Sequence, residues 1–214
     1  MTIEEMRKTY AKAGLDEKDM ATDPMVQFQT WFDQAQQPDL PDWMEVNAMT
    51  LSTSDGSGGV TSRVVLLKGI DSGQLFFYTN YDSTKGRQLA ACPRVSLCFF
   101  WPHLERQVRI EGVVGKADRD RSQKYFASRP RGSQLGAHVS KQSSIVKDRA
   151  ELESNMKHLE QRYADSDVPC PENWGGYAVT PMQLEFWQGR PSRLHDRLCY
   201  QQKNNAWEIV RLSP

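Results

Sequence analysis

Ala48-Met49-Thr50-Leu51-Ser52-Thr53 and Val60-Thr61-Ser62-Arg63-Val64-Val65-Leu66-Leu67-Lys68 flank the loop Ser54-Asp55-Gly56-Ser57-Gly58-Gly59. Both runs are rich in β-branched and apolar residues, and a glycine-rich loop between two such runs predicts a β-hairpin. The glycines are not a dinucleotide-binding fingerprint. The G-x-G-x-x-G spacing fails at Thr61, and a strand follows where that motif needs a helix.

Further strands follow the hairpin. Gln74–Thr79 and Val95–Trp101 are aromatic and β-branched, and Gln107–Glu111 alternates polar with apolar as a half-buried strand does. Helices are predicted at Ser83–Ala91, Asp118–Ser128 and Asp148–Ala164, the last with Leu152, Met156, Leu159 and Tyr163 on one stripe. Pro169 and Pro171 mark a loop ahead of Trp174-Gly175-Gly176-Tyr177. The chain finishes with strands at Ala178–Phe186, Arg193–Tyr200 and Ala206–Leu212, the last two joined by an Asn204-Asn205 turn. Upstream, Asp23-Pro24 reads as an N-cap followed by proline in the first turn of a helix that ends near Gln37. Consecutive hairpin-linked strands with inserted helices predict an α+β, mainly β class. The form expected is an antiparallel sheet or barrel with helices packed outside it.

Bulk composition narrows the function. With 27 Lys plus Arg against 27 Asp plus Glu, the 214-residue chain has no basic excess to blanket nucleic acid, so any anion site must be local. No apolar run is long enough to span a membrane, and MTIEEMRKTYAKAG has no apolar core of a secretory signal, so a cytoplasmic protein is expected. Cys92, Cys98, Cys170 and Cys199 lack C-x-x-C spacing and read as reduced structural thiols. His103, His138 and His158 are isolated, so no metal site is expected.

Three clusters are candidates for chemistry. Arg193-Leu194-His195-Asp196-Arg197, read as a strand, puts three cation-capable side chains on one face. Such a face is either solvated or met by an anion or carboxylate. Arg63–Lys68 is an apolar strand bracketed by cations, suited either to snorkelling ends or to a phosphate at Arg63. In Tyr125–Ser133, Pro130 ends one helix and a new helix can begin at Ser133, so that Tyr125, Arg129 and Ser133 converge on one anion.

With these clusters the chain resembles the pyridoxamine 5′-phosphate oxidase family along nearly its whole length. The resemblance rests on Arg63–Lys68, Phe77–Asn80, Arg106–Arg109, Ser128–Pro130, Ser140–Ser144, Trp174–Tyr177, Glu185–Gly189 and Arg193–Arg197, eight motifs in one order. It implies an FMN-binding split β-barrel working as a homodimer, with FMN at the subunit interface. It also implies an N-terminal segment or lid, residues 1–22, ahead of a single domain, residues 23–214. Flavin contacts carried over are Arg63, Val64, Val65, Leu66, Leu67, Lys68, Tyr78, Thr79, Lys85, Gln107, Gln142, Ser143, Trp187 and Arg197. Substrate contacts are Lys68, Tyr125, Arg129 and Ser133, with Arg193, Leu194 and His195 over the pyridine ring and Arg7 and Tyr10 closing the site. Arg193 and His195 are the candidate catalytic pair, His195 as proton acceptor. The implied reaction is oxidation of pyridoxine or pyridoxamine 5′-phosphate by O2. Rivals are a flavin reductase of the same fold and a non-catalytic carrier. Thr84 stands where many members have arginine, so somewhat weaker FMN binding is expected.

Overall fold

The computed structural model describes residues 1–6, 8–204 and 206–214. Arg7 and the second residue of the Asn204-Asn205 turn lie outside the described residues. The first helix, α1 (Pro24–Ala35), begins where expected, with the Asp23 carboxylate accepting the Met25 N–H at 2.7 Å. It buries Phe28 and Trp31 against the sheet. Strands β1 (Ala48–Ser54) and β2 (Val60–Leu66) form the anticipated hairpin, Ala48 pairing with Leu66 and Ser54 with Val60. β3 (Gly69–Asp71), β4 (Gln74–Asn80), β5 (Arg94–Trp101), β6 (Arg106–Lys116), β7 (Trp174–Gln188), β8 (Asp196–Lys203) and β9 (Ala206–Arg211) complete the sheet.

Every ladder is antiparallel. The order is β2-β1-β5-β6-β7-β4-β3, with β8 added to the far half of β7 and β9 to β8. The sheet curls. Lys68, just past β2, donates its N–H to Phe76 O of β4 at 2.8 Å, although β2 and β4 stand far apart in strand order. That closure brings Arg63–Lys68 beside Tyr78 and Thr79. Edge strand β2 leaves Val60 and Val64 each 66% exposed.

Helices α2 (Thr84–Ala91), α3 (Arg119–Ser128), α4 (Arg131–Val139) and α5 (Arg149–Arg162) lie outside the sheet. Two apolar cores result. The larger fills the curl with Met49, Leu51, Leu97, Phe99, Ile110 and Phe186. The smaller packs Phe126, Leu135, Val168 and Trp174 against the α5 stripe of Met156, Leu159 and Tyr163.

Several boundaries differ from expectation. The strand read as Val60–Lys68 stops at Leu66, because the chain there leaves β1 for β4. The strand read from Ala178 already starts at Trp174: Gly175 and Gly176 pair with Thr79 and Tyr78, so ladder partners override the weak strand preference of Gly-Gly. The helix expected at Ser133 starts at Arg131, directly after Pro130. The strand expected from Arg193 starts at Asp196. Ser192 and Arg193 adopt φ of 56° and 63°, left-handed values that no strand accommodates.

Gly86 offers a test of the packing around α2. A Cβ there would stand 2.0 Å from the backbone oxygen of Tyr81. Gly86→Ala should therefore destabilise the fold by about 1–3 kcal/mol instead of gaining the ~1 kcal/mol alanine usually brings to a helix. Urea denaturation of the two proteins measures the difference.

Candidate active site

A cleft of about 470 Å³ opens between β2, β4 and α3, lined by Arg63, Val64, Val65, Leu66, Lys68, Tyr78, Thr79, Lys85, Tyr125, Arg129, Gln142 and Trp174. Two candidate clusters and both ends of the curl thus meet in one place. Lys85 is only 9% exposed, and among the described residues no carboxylate pairs with it. Its Nζ donates to Gln142 Oε1 (2.9 Å), Thr79 Oγ1 (3.2 Å) and Ser83 Oγ (3.4 Å), all neutral. Burial, with the nearby Arg63 charge, lowers its pKa to about 8.

Arg63 is held the same way. Thr53 and Thr61 each donate their hydroxyl hydrogen to Gln88 Oε1, at 2.6 and 2.8 Å, leaving both oxygens free to accept. The Arg63 guanidinium donates to both hydroxyls, at 2.7 Å to Thr53. Arg129 stacks over Trp174, 4.7 Å from the ring centroid, and its Nη1 is buried without a partner. Tyr78 and Tyr125 stack at 3.9 Å, and burial raises the pKa of both phenols. Four cations, Arg63, Lys68, Lys85 and Arg129, thus face one cleft in a chain of zero formal net charge; Arg63 and Lys85 are held by neutral acceptors, and Nη1 of Arg129 has no partner among the described residues. That donor set fits a phosphorylated ligand.

The remaining candidates gather elsewhere. Gln107 of β6, Trp187 of β7 and Arg197 of β8 lie in register across three strands. His195 stands 4.6 Å from Trp187, and Tyr10 meets both rings edge-on at 5.7 and 5.8 Å. Tyr10, Arg193 and His195 line a cavity of about 380 Å³ with Arg190, while Leu194 is exposed. The Arg190 N–H donates to His195 Nδ1 at 3.0 Å, so the neutral ring carries its proton on Nε2. In this arrangement the Nδ1 acceptor of His195 is taken by a backbone N–H of its own chain. Arg193 and His195 sit in the turn before β8, so the three cations share no strand face. Arg197 alone is in the strand, clamped by Glu185 through Nε–Oε1 (2.8 Å) and Nη2–Oε2 (3.0 Å). This bidentate pair raises the Arg197 pKa.

The two groups stand at opposite ends of β7. Gly175 pairs with Thr79 and Trp187 pairs with Arg197, so roughly 40 Å of strand contour separates them at ~3.3 Å per residue. Three expected contacts lie outside the cleft lining: Leu67, buried in the main core, Ser133, exposed in the first turn of α4, and Ser143. Ser143, at φ 72°, accepts the Thr84 N–H at 3.2 Å beside Gln142. Gln88, Thr53 and Glu185 have no role in the sequence reading. Only the cross-strand register, which a single sequence does not display, makes them orienting groups. A larger cavity of about 940 Å³ beneath the end of α1 shares only Leu67 and Lys68 with the candidates and is otherwise lined by glutamines, prolines and apolar residues with Asp42 and Asn47. Its lining has no converging cations.

Comparison with known proteins settles the family. The family model described as pyridoxamine 5′-phosphate oxidase matches residues 32–163, and that of the pyridoxine 5′-phosphate oxidase C-terminal dimerisation region matches residues 174–214. The chain belongs to the pyridoxine/pyridoxamine 5′-phosphate oxidase family. The pyridoxine/pyridoxamine 5′-phosphate oxidase of Rhodopirellula baltica is 60% identical over 99% of this chain and 96% of its own. That of Pseudomonas paraeruginosa is 50% identical over 100% and 99%. Among solved structures, PhzG from Burkholderia lata, in complex with tetrahydrophenazine-1-carboxylic acid, superposes with a TM-score of 0.87 at 27% identity, covering 95% of this chain and 99% of that one. An FMN-binding protein from Nostoc punctiforme shares the fold at 0.70 and 16% identity, covering 91% and 100%.

For this member of the oxidase family, Lys85 ties ligand binding to pH. A lysine whose folded pKa is lowered binds its proton more weakly folded than unfolded, so the apoprotein should gain stability as pH rises through about 8 towards 10.5. Affinity for a phosphate-bearing ligand should move the other way, falling above about pH 8 as the ammonium is lost. Thermal midpoints of the apoprotein and flavin titrations across that range check the opposed trends.

Proposed function

We propose that this protein oxidises pyridoxine 5′-phosphate or pyridoxamine 5′-phosphate to pyridoxal 5′-phosphate, with FMN as cofactor and O2 as oxidant, in vitamin B6 metabolism. The observation that carries the reading is the cleft in which buried Lys85 and half-buried Arg63 and Arg129 have no carboxylate partner among the described residues. Bound FMN would accept the hydride leaving the substrate C4′ and deliver its electrons to O2, giving hydrogen peroxide. For the amine substrate, water then releases ammonia from the product imine.

This chain's residues bind and orient. Arg63 and Lys85 hold the FMN phosphate, with Gln142, Ser143 and Thr79 as neutral neighbours. Lys68, Tyr125 and Arg129 hold the substrate phosphate, with Ser133 at the nearby helix start, which fixes the reacting carbon and removes its rotational freedom. Arg193 and the Nε2–H of His195 meet the pyridine ring, and Tyr10 closes over it. Trp187, Gln107 and Arg197 pack against the flavin.

Because the two groups lie at opposite ends of β7, each site is completed by a second copy of the chain. The Arg63–Lys85 cleft of one protomer faces the Trp187–His195 cluster of its partner in a homodimer, with FMN at the interface. Residues 1–22 act as a lid on the remaining single domain. The four free cysteines suit a cytoplasmic setting.

The direct test is to add pyridoxine 5′-phosphate to the purified yellow protein without oxygen. Bleaching of the flavin band, and its return in air, is the expected result. Colour without bleaching by either phosphate would reject the oxidase reading in favour of a reductase, a carrier or a PhzG-like reaction. Among variants, Arg193→Ala should lower kcat/KM about 100-fold, a loss of ~2.7 kcal/mol, with FMN content unchanged. Arg197→Ala should lose FMN. Equal flavin loss in both would overturn this division of roles.

A further inference from the structure

The segment carrying Tyr10 is tied to the barrel by a side chain the proposed reaction does not use. Glu105 lies in the turn between β5 and β6 and is 3% exposed. Its Oε2 accepts the backbone N–H groups of both Ala11 (2.8 Å) and Lys12 (3.0 Å). Among the described residues no lysine or arginine pairs with it, so this buried carboxylate rests on those two donors. Its backbone φ is 55°, a left-handed value that disfavours a side chain with a Cβ. Strain of this kind persists where the surroundings over-determine it, and it points to what the residue does.

The backbone of Glu105 is engaged at the same time. Its carbonyl accepts the Gly189 N–H at 2.8 Å and Gln188 Nε2 at 3.2 Å, tying the turn to the end of β7 that bears Trp187. One residue therefore holds the strap bearing Tyr10 through its side chain and, through its main chain, the two residues that follow Trp187. Gly189 supplies the complementary space. A Cβ there would stand 2.7 Å from Tyr10 Cβ and Cγ.

Further along, the strap has separate anchors. Arg190 donates to Ala13 O, Asp196 accepts the Leu15 N–H, and Arg211 holds Leu15 O and Glu17. Removing the Glu105 carboxylate would thus take the acceptor from the Ala11 and Lys12 N–H groups, while the Lys12 ammonium keeps His103 O and residues 13–17 keep their own anchors.

We infer that Glu105 is a positioning residue: with Gly189 it sets where Tyr10 docks against Trp187 and His195, and so how the site closes over substrate. The kinetic part of this inference rests on the oxidase reading; the docking is a property of the chain itself.

The test uses the holoenzyme with Glu105→Ala, Glu105→Gly, Glu105→Gln and Gly189→Ala. Two readouts are taken: KM against kcat for pyridoxine 5′-phosphate, and the rate of tryptic cleavage after Lys12 relative to Lys18. In Glu105→Ala, KM should rise about tenfold, the equivalent of one lost charge-assisted hydrogen bond. FMN content and kcat should change little, and cleavage after Lys12 should accelerate while that after Lys18 does not. Glu105→Gly, which accommodates the positive φ, should behave like Glu105→Ala, assigning the effect to the carboxylate. Glu105→Gln should restore both readouts, because both N–H groups meet a single oxygen that an amide carbonyl can supply. Gly189→Ala should raise KM by displacing Tyr10.

Unchanged KM in Glu105→Ala, with or without faster cleavage, overturns the positioning role. So does a glutamine variant no better than alanine. Should Glu105→Ala not fold, the glutamine and Gly189→Ala proteins still decide. If the wild type turns over neither substrate, the oxidase reading fails, while the cleavage rates still decide the docking.

Discussion

A strand as long as Trp174–Gln188 keeps its backbone hydrogen-bonded on both edges only if partners cover its whole length. β6 does so on one side, from Arg106 opposite Gln188 to Lys116 opposite Tyr177, with one register shift at Glu111/Gly112. On the other side no single strand suffices, so β4 takes the first half and β8 the second. Much else follows from that division. β4 brings Tyr78 and Thr79 to one end, where β2 curls round to meet them. β8 brings Arg197 to the other, and the turn before it carries Arg193 and His195. The separation of the two side-chain groups is thus a consequence of backbone pairing.

Electrostatics at the first end depends on what is absent from the immediate neighbours of the cations. An arginine or lysine held by a carboxylate is already neutralised and offers little to an incoming anion. Arg63 and Lys85 are held by hydroxyls and amides, which fix direction without cancelling charge. Gln88 makes this possible by taking the hydroxyl hydrogens of Thr53 and Thr61. At the second end the logic reverses. Arg197 is clamped by buried Glu185, itself shared with Arg109 at 3.2 Å, so its position is fixed and its charge largely answered. Planar packing suits such a group better than phosphate capture.

The antiparallel plan, the β1–β2 hairpin and the helix starts at Asp23, Ser83 and Asp148 were legible because each has a local cause: side-chain period, glycine-rich turn or capping residue. Most of the candidate residues were legible as motifs, through resemblance. What stayed hidden depends on long-range pairing. The strand status of Gly175 and Gly176 comes from β4 and β6, and the loss of strand geometry at Arg193 comes from a turn of two left-handed residues with no glycine to announce it. The His195 tautomer follows from one backbone N–H at Arg190. Glu185 and Gln88 reveal their roles only once strand register is known.

The bare valines on β2 bear on the early life of the molecule. Val60 and Val64 project from the outer strand of the sheet, whose free N–H and C=O groups form a template for any other β-strand that arrives first. A folded chain whose β2 edge is uncovered is therefore the vulnerable species. Crowding speeds correct pairing and also raises the chance of a wrong encounter, so yield becomes a race between assembly and aggregation.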